Sequence, residues 1–289
     1  MQIGVSFPTT EIGNNPEHIR RFAEGAEALG YDYLTCIDHV IQGRNAVADD
    51  WRAYYTIDNA FHETLVLFGF LAAATQKIGL TSAILILPQR PTVLVAKQLA
   101  EIDILSGGRL RAGVGIGWNA LEFGALDQTF NNRARRIEEQ IALLRRLWSE
   151  NLVTFEGEWH HIDDAGLNPL PVQQPIPIWI GAFEAPAIRR AGRISDGLLV
   201  NPRVKPGPDA DAMLRHFRAS AEEAEREVTT LGLEATMFTQ KRGGNAIREE
   251  LEQWRERGAS HVTLRTMTAG LTDVEGHLDA LEEARRALD

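Results

Sequence analysis

Short apolar runs alternate with amphipathic stretches along the whole chain. Residues 3–7 (IGVSF), 33–37 (YLTCI), 110–117, 178–181 (IWIG), 197–200 (GLLV), 235–238 (ATMF) and 261–265 (HVTLR) are apolar runs of strand length. Residues 78–87, IGLTSAILIL, lack alternation, which predicts one continuous strand buried on both faces. Helical periodicity predicts helices over 16–29, 63–75, 92–105, 133–149, 185–194, 210–231, 245–257 and 274–288. The clearest is 133–149, where Ile137, Ile141, Leu144 and Trp148 share one face and Glu138, Glu139, Arg145 and Arg146 lie off it.

Each strand is followed by a helix, eight times over. Parallel neighbours need such crossovers, and eight units close into a single (β/α)8 TIM barrel covering residues 1–289. A doubly wound sheet is the rival, but it usually has fewer strands. The alternation is interrupted after the fourth helix, at about 151–175. There VTFEGEWHHI (153–162) reads as a small hairpin turning at its central Glu-Gly, and a proline-rich stretch leads back to the barrel. Barrel chemistry sits at the C-terminal strand ends. That singles out Phe7, Asp38, His39, residues 82–87, 115–118 and 181–184, Asn201, residues 240–242, Arg265 and Thr266.

A formal net charge of −10 argues against a broad nucleic-acid footprint but leaves room for a local basic pocket. Cys36 is the only cysteine, so no internal disulfide forms, in keeping with a reducing cytoplasm. MQIGVSFPTT has no signal-peptide pattern, and the apolar run 64–75 is too short to span a bilayer. The expectation is a cytoplasmic protein with neither nucleic acid nor membrane as partner. His160 and His161 are adjacent on a strand, point to opposite faces, and have no cluster of ligands around them, so no metal site is expected.

LSGGRLRAGVGIGW (105–118) carries Gly113, Gly115 and Gly117 at every second position. A dinucleotide fingerprint would need glycine where Trp118 stands. Two compatible readings remain. The glycines allow tight packing in the barrel interior, or they let the backbone approach a planar ring or a pyrophosphate.

ILSGGRLRAGVGIGWNALEF (104–123) resembles the matching segment of the luciferase-like flavin monooxygenase superfamily, most closely its branch using the deazaflavin coenzyme F-420. CIDHV (36–40), SAILILPQRPTVLVAKQLAEID (82–103) and IPIWIGAFEAPAIRRAGRISDGLL (176–199) resemble the same family, in order. The resemblance implies an oxidoreductase with F-420, or alternatively FMN, at the barrel mouth. A small, hydrophobic organic substrate is expected. A homodimer and a flavin or F-420 reductase are the implied partners; a non-catalytic flavin-binding barrel is the other alternative.

Carried over by position, the resemblance makes His39 the catalytic residue, with Asp38 beside it near the cofactor. It places a bulge with a non-proline cis bond at Ser82–Ala83, behind the ring. It assigns Gly115, Gly117, Gly181 and Ala182 to backbone contact with the cofactor. Phe7, Trp51 and Trp118 are expected to line the substrate pocket, with the long segment 41–62, including Tyr54 and Tyr55, as a lid. Two departures stand out. Trp118 replaces the glutamate of the sugar-phosphate dehydrogenases of this branch, and Ile116 stands where FMN-using relatives often carry a phosphate-gripping arginine.

Overall fold

A computed structural model describes residues 1–44, 55–240 and 242–288. The chain runs β1 (Gln2–Ser6), α1 (Pro16–Ala28), β2 (Tyr33–Cys36), α2 (Thr64–Ala74), β3 (Gly79–Ser82), β4 (Leu85–Ile86), α3 (Thr92–Ser106), β5 (Leu110–Gly115), α4 (Ala120–Ala125) and α5 (Arg133–Ser149). It continues with β6 (Val153–Glu156), β7 (His161–Ala165), β8 (Ile178–Ala182), α6 (Ala185–Ile194), β9 (Gly197–Val200), α7 (Pro208–Glu223), β10 (Gly232–Phe238), α8 (Gly244–Glu256), β11 (His261–Arg265) and α9 (Val274–Leu288). Parallel pairing runs β3-β2-β1-β11-β10-β9-β8-β5, and β3 pairs back with β5 to close the barrel. β6 and β7 form an antiparallel hairpin outside it. Among the described residues no helix is long and apolar enough to cross a membrane.

The predicted continuous strand over 78–87 is broken. β3 pairs Thr81 with Arg111, whereas β4 pairs Leu85 with Val114, so this strand holds one more residue than β5 over the same stretch. The extra residue is accommodated at Ala83 and Ile84, whose peptide bond is cis. It lies one bond beyond the expected Ser82–Ala83 position.

The glycines of β5 belong to this bulge. A Cβ on Gly113 would overlap the Ser82 carbonyl, and the Ser82 hydroxyl donates to the Gly113 carbonyl at 2.8 Å. A Cβ on Gly115 or on Gly181 would meet the Ile84 side chain, and one on Gly117 would meet Ile86. The glycines therefore make room for the neighbouring strand, the packing role that is one of their two compatible readings. Ile84 fills the hollow over Gly115 and Gly181.

Helix α7 also stops short of the predicted 231. Glu225 takes a positive φ of 55°, and Arg226 N–H donates back to the Ala221 carbonyl, closing the helix in a left-handed cap. The chain then enters β10 at Gly232, earlier than the predicted 235.

The N-terminal end of the barrel is plugged by its own side chains. Arg111 lies between the rings of Tyr33 and Trp179, 4.8 and 4.1 Å from their centroids, and pairs with Glu234. Glu234 also accepts from the Thr263 hydroxyl at 2.6 Å. Gly4, Gly197 and Gly232 are small where these rings press on the wall. This end of the barrel is filled, and the strand ends singled out in the sequence lie at the other.

Candidate functional site

His39 follows β2 at the C-terminal rim. Its Nδ1 donates to both carboxylate oxygens of Glu122, at 3.2 and 3.1 Å. Glu122 is fully buried on α4, a helix whose first turn is capped by Asn119 accepting from Leu121 N–H. The carboxylate also accepts from Val40 N–H at 2.9 Å and the Gln89 amide at 3.4 Å. Burial pushes Glu122 up, but the His39 bond and charge, with the Val40 and Gln89 donors, bring it on balance below the ordinary carboxylate range. An ionised acceptor on Nδ1 leaves His39 Nε2 as the nitrogen able to take or give a proton. The imidazole is only 8% exposed. Tyr55, Phe61 and Trp118 surround it at ring separations of 5.4, 5.0 and 5.8 Å.

Asp38 faces the other way. Its carboxylate accepts from Arg90 Nη2 at 2.8 Å, Ile86 N–H at 3.0 Å and the Thr64 hydroxyl at 3.2 Å. It ties the end of β2 to β4, so the residue that orients the imidazole is Glu122 and not Asp38. Burial raises Asp38 against the pull of Arg90. Phe7 is also corrected. It is completely buried, edge-on to Phe22 and His62, because alternation turns Ser6 inward and Phe7 toward the helices. Trp51 and Tyr54 lie outside the described residues.

Ser82 is buried, while Ala83 and Ile84 are the half-exposed residues of the bulge. Ala83 N–H donates to the Cys36 carbonyl at 2.7 Å, fixing the bulge beside the strand that carries His39. Gly181 is half-buried and Ala182 buried at the end of β8, leading into α6. Burial pushes the Cys36 thiol up to about 12, which removes it as a nucleophile at neutral pH. Among the described residues no group of His, Cys, Asp or Glu is arranged to hold a metal ion.

Two guanidinium groups complete the rim. Arg133, at the start of α5, donates to the Gly117 and Phe130 carbonyls and stacks 3.6 Å from the Phe130 ring centroid. Burial lowers its pKa, and among the described residues no carboxylate is paired with it. Arg265, at the end of β11, donates to the Tyr55 hydroxyl at 3.0 Å. The residues thus fit a planar group with an anionic tail: a bulge with Ile84 for one face, an imidazole nearby, and a cation beside Gly117 for phosphate. Glu122 and Arg133 were missed in the sequence, and Ile84 was singled out only as part of the strand end 82–87. Nothing local in the sequence joins Glu122 to a histidine 83 residues away.

The profile of the luciferase-like monooxygenase family matches residues 1–287. An FMNH(2)-dependent dimethylsulfone monooxygenase of Pseudomonas putida is 35% identical over 189 residues, 64% of this chain and 48% of its own length. An F-420-dependent glucose-6-phosphate dehydrogenase of Nakamurella multipartita is 30% identical over 75% of this chain and 61% of its own length. This chain therefore spans about half to three fifths of these relatives. Among solved structures, an F-420-dependent secondary alcohol dehydrogenase in complex with an F-420–acetone adduct superposes with a TM-score of 0.79 at 18% identity, over 100% of this chain and 99% of that one.

Proposed function

The chain belongs to the luciferase-like monooxygenase family, and on that premise we propose that it is an oxidoreductase using the deazaflavin coenzyme F-420 on a small organic substrate. The observation that carries the reading is the buried His39–Glu122 pair, set beside the Ala83–Ile84 bulge at the open end of the barrel. F-420, when bound, supplies hydride transfer, the part of the chemistry that side chains cannot provide. The protein's share is positional. Ile84 supports a flat group from behind. Trp118, Tyr55 and Phe61 exclude water from around the imidazole. His39 Nε2 delivers or removes the substrate proton, with Glu122 holding the ring through Nδ1. Ile116 at the end of the glycine strand, in place of an arginine, favours F-420.

A second reading, an FMN-dependent monooxygenase supplied by a separate flavin reductase, is favoured by Arg133. This guanidinium beside Gly117 can meet a terminal phosphate from another element. A homodimer belongs to both readings. Equilibrium titration with F-420 and with FMN separates them. We expect F-420 to bind at micromolar concentration or tighter and FMN at least tenfold more weakly. The reverse order gives the monooxygenase reading, and binding of neither removes both.

A further inference from the structure

Arg265 occupies an unusual electrostatic position. Alternation along β11 turns His261, Thr263 and Arg265 inward, and the first two meet the plug residues Trp179 and Glu234. Arg265 is therefore the next interior layer, at the mouth. Its Nε is buried without a hydrogen-bond partner, and among the described residues Nη2 donates to the Tyr55 hydroxyl. The Phe238 ring also lies near it, its centroid 5.5 Å from the guanidinium carbon. Among the described residues no carboxylate lies within ion-pair distance of it. The charges next to it are no help: Lys205, over the other contact of Phe238, and Arg242 share the single carboxylate Glu250. A half-buried guanidinium with one N–H unmatched and no carboxylate among the described residues to balance its charge is costly, so an external group offering oxygen lone pairs gains a charge-assisted, forked contact here.

Tyr55 links Arg265 to the chemistry. Its ring packs against His39 and its hydroxyl against Arg265, so both groups touch the same side chain. We infer that Arg265 is a receptor for an anionic oxygen group, and that the substrate is an organic anion, a carboxylate or sulfonate with an apolar body. Its charged end sits on Arg265 and its reacting carbon lies toward His39. This rests on the oxidoreductase reading and narrows its substrate to an apolar body with a charged end. The same chemistry has a second source, the anionic tail of the cofactor, and the experiment distinguishes the two.

Bind hexanoate, hexanesulfonate and hexan-1-ol to the protein by calorimetry, with and without the cofactor it takes up. Compare the chain with Arg265→Gln and Arg265→Lys, and use melting temperature and circular dichroism as checks on folding. The expected result is anions bound at least tenfold more tightly than the alcohol, the preference lost in Arg265→Gln, kept in part by Arg265→Lys, and cofactor affinity unchanged in both. Equal binding of acid and alcohol overturns the inference, as does a preference that survives Arg265→Gln. Loss of cofactor affinity in Arg265→Gln with the anion preference intact assigns the residue to the cofactor and overturns it too. If the protein binds neither F-420 nor FMN, the oxidoreductase reading falls, while the anion preference is still read in the cofactor-free protein.

Discussion

A histidine enclosed by an aromatic collar and held from behind by a buried carboxylate has one orientation and one nitrogen left for substrate. Glu122 provides this orientation here, and two substitutions separate its part from that of His39. His39→Ala should lower turnover by about 10²–10⁴-fold, the usual contribution of a positioned acid or base, with cofactor affinity changed little. Glu122→Gln keeps the shape, the Val40 contact and an oxygen acceptor, but an amide can also present N–H to Nδ1 and turn the imidazole to the wrong tautomer. Turnover should fall about tenfold or more while the fold is kept. Steady-state kinetics with matched melting curves decide the matter; full turnover in either variant removes that residue from the proposed role. Both residues were differently legible. His39 follows a strand in a sequence of obvious periodicity, whereas Glu122 sits on a six-residue helix with no pattern of its own.

At the scale of elements, the central unit is the pair formed by the interrupted third strand and β5. Their fit is backbone against backbone at Gly113 but side chain against backbone at Gly115. The two glycines should therefore fail differently. In Gly113→Ala the new methyl collides with the Ser82 carbonyl, and neither strand can yield without breaking the pairing that closes the barrel. Destabilisation at or above the upper end of about 1–3 kcal/mol is expected. In Gly115→Ala the methyl meets the tip of Ile84, which can turn toward the mouth. The melting temperature should fall less, and cofactor affinity should drop instead. Gly69→Ala, in open space on α2, serves as the control and should gain about 0.5–1 kcal/mol from helix propensity. Chemical denaturation of the three variants, alongside cofactor titration, gives the ranking; equal stability of Gly113→Ala and Gly69→Ala would contradict the bulge packing.

For the molecule as a whole, the plug and the outer core contain histidines that stay neutral when folded. Burial, with the nearby Arg111 cation, lowers His261 to about 3, and burial lowers His277 to about 4. The unfolded chain takes up protons on both as pH falls through about 6.5, while the folded chain does not. Stability from this source is complete above that pH. It declines as the pH drops toward 4, by at most about 1.4 kcal/mol per pH unit for each histidine. The carboxylates of Glu27, Glu122 and Glu139, held low in the fold, add a loss in the same direction at lower pH. Melting temperature should be level from neutrality down to about pH 6.5 and then fall. His261→Gln should flatten the fall between pH 6 and 4.5. A melting temperature independent of pH over that range would refute the neutral, buried state of these side chains.

The alternation of strands and helices, the parallel barrel it implies, and the placement of His39 and Arg265 at strand ends were determined by the sequence alone. Each rests on periodicity or position within one element, and such information is local. What the glycines are for, where the bulge falls, which way Asp38 and Phe7 face, and which carboxylate serves His39 were decided only in three dimensions. Gly115 and Gly181 are far apart in the chain and become small for the same reason: both lie under Ile84. Such roles depend on which strands become neighbours and in what register. A contact between distant segments leaves no periodic trace in either of them.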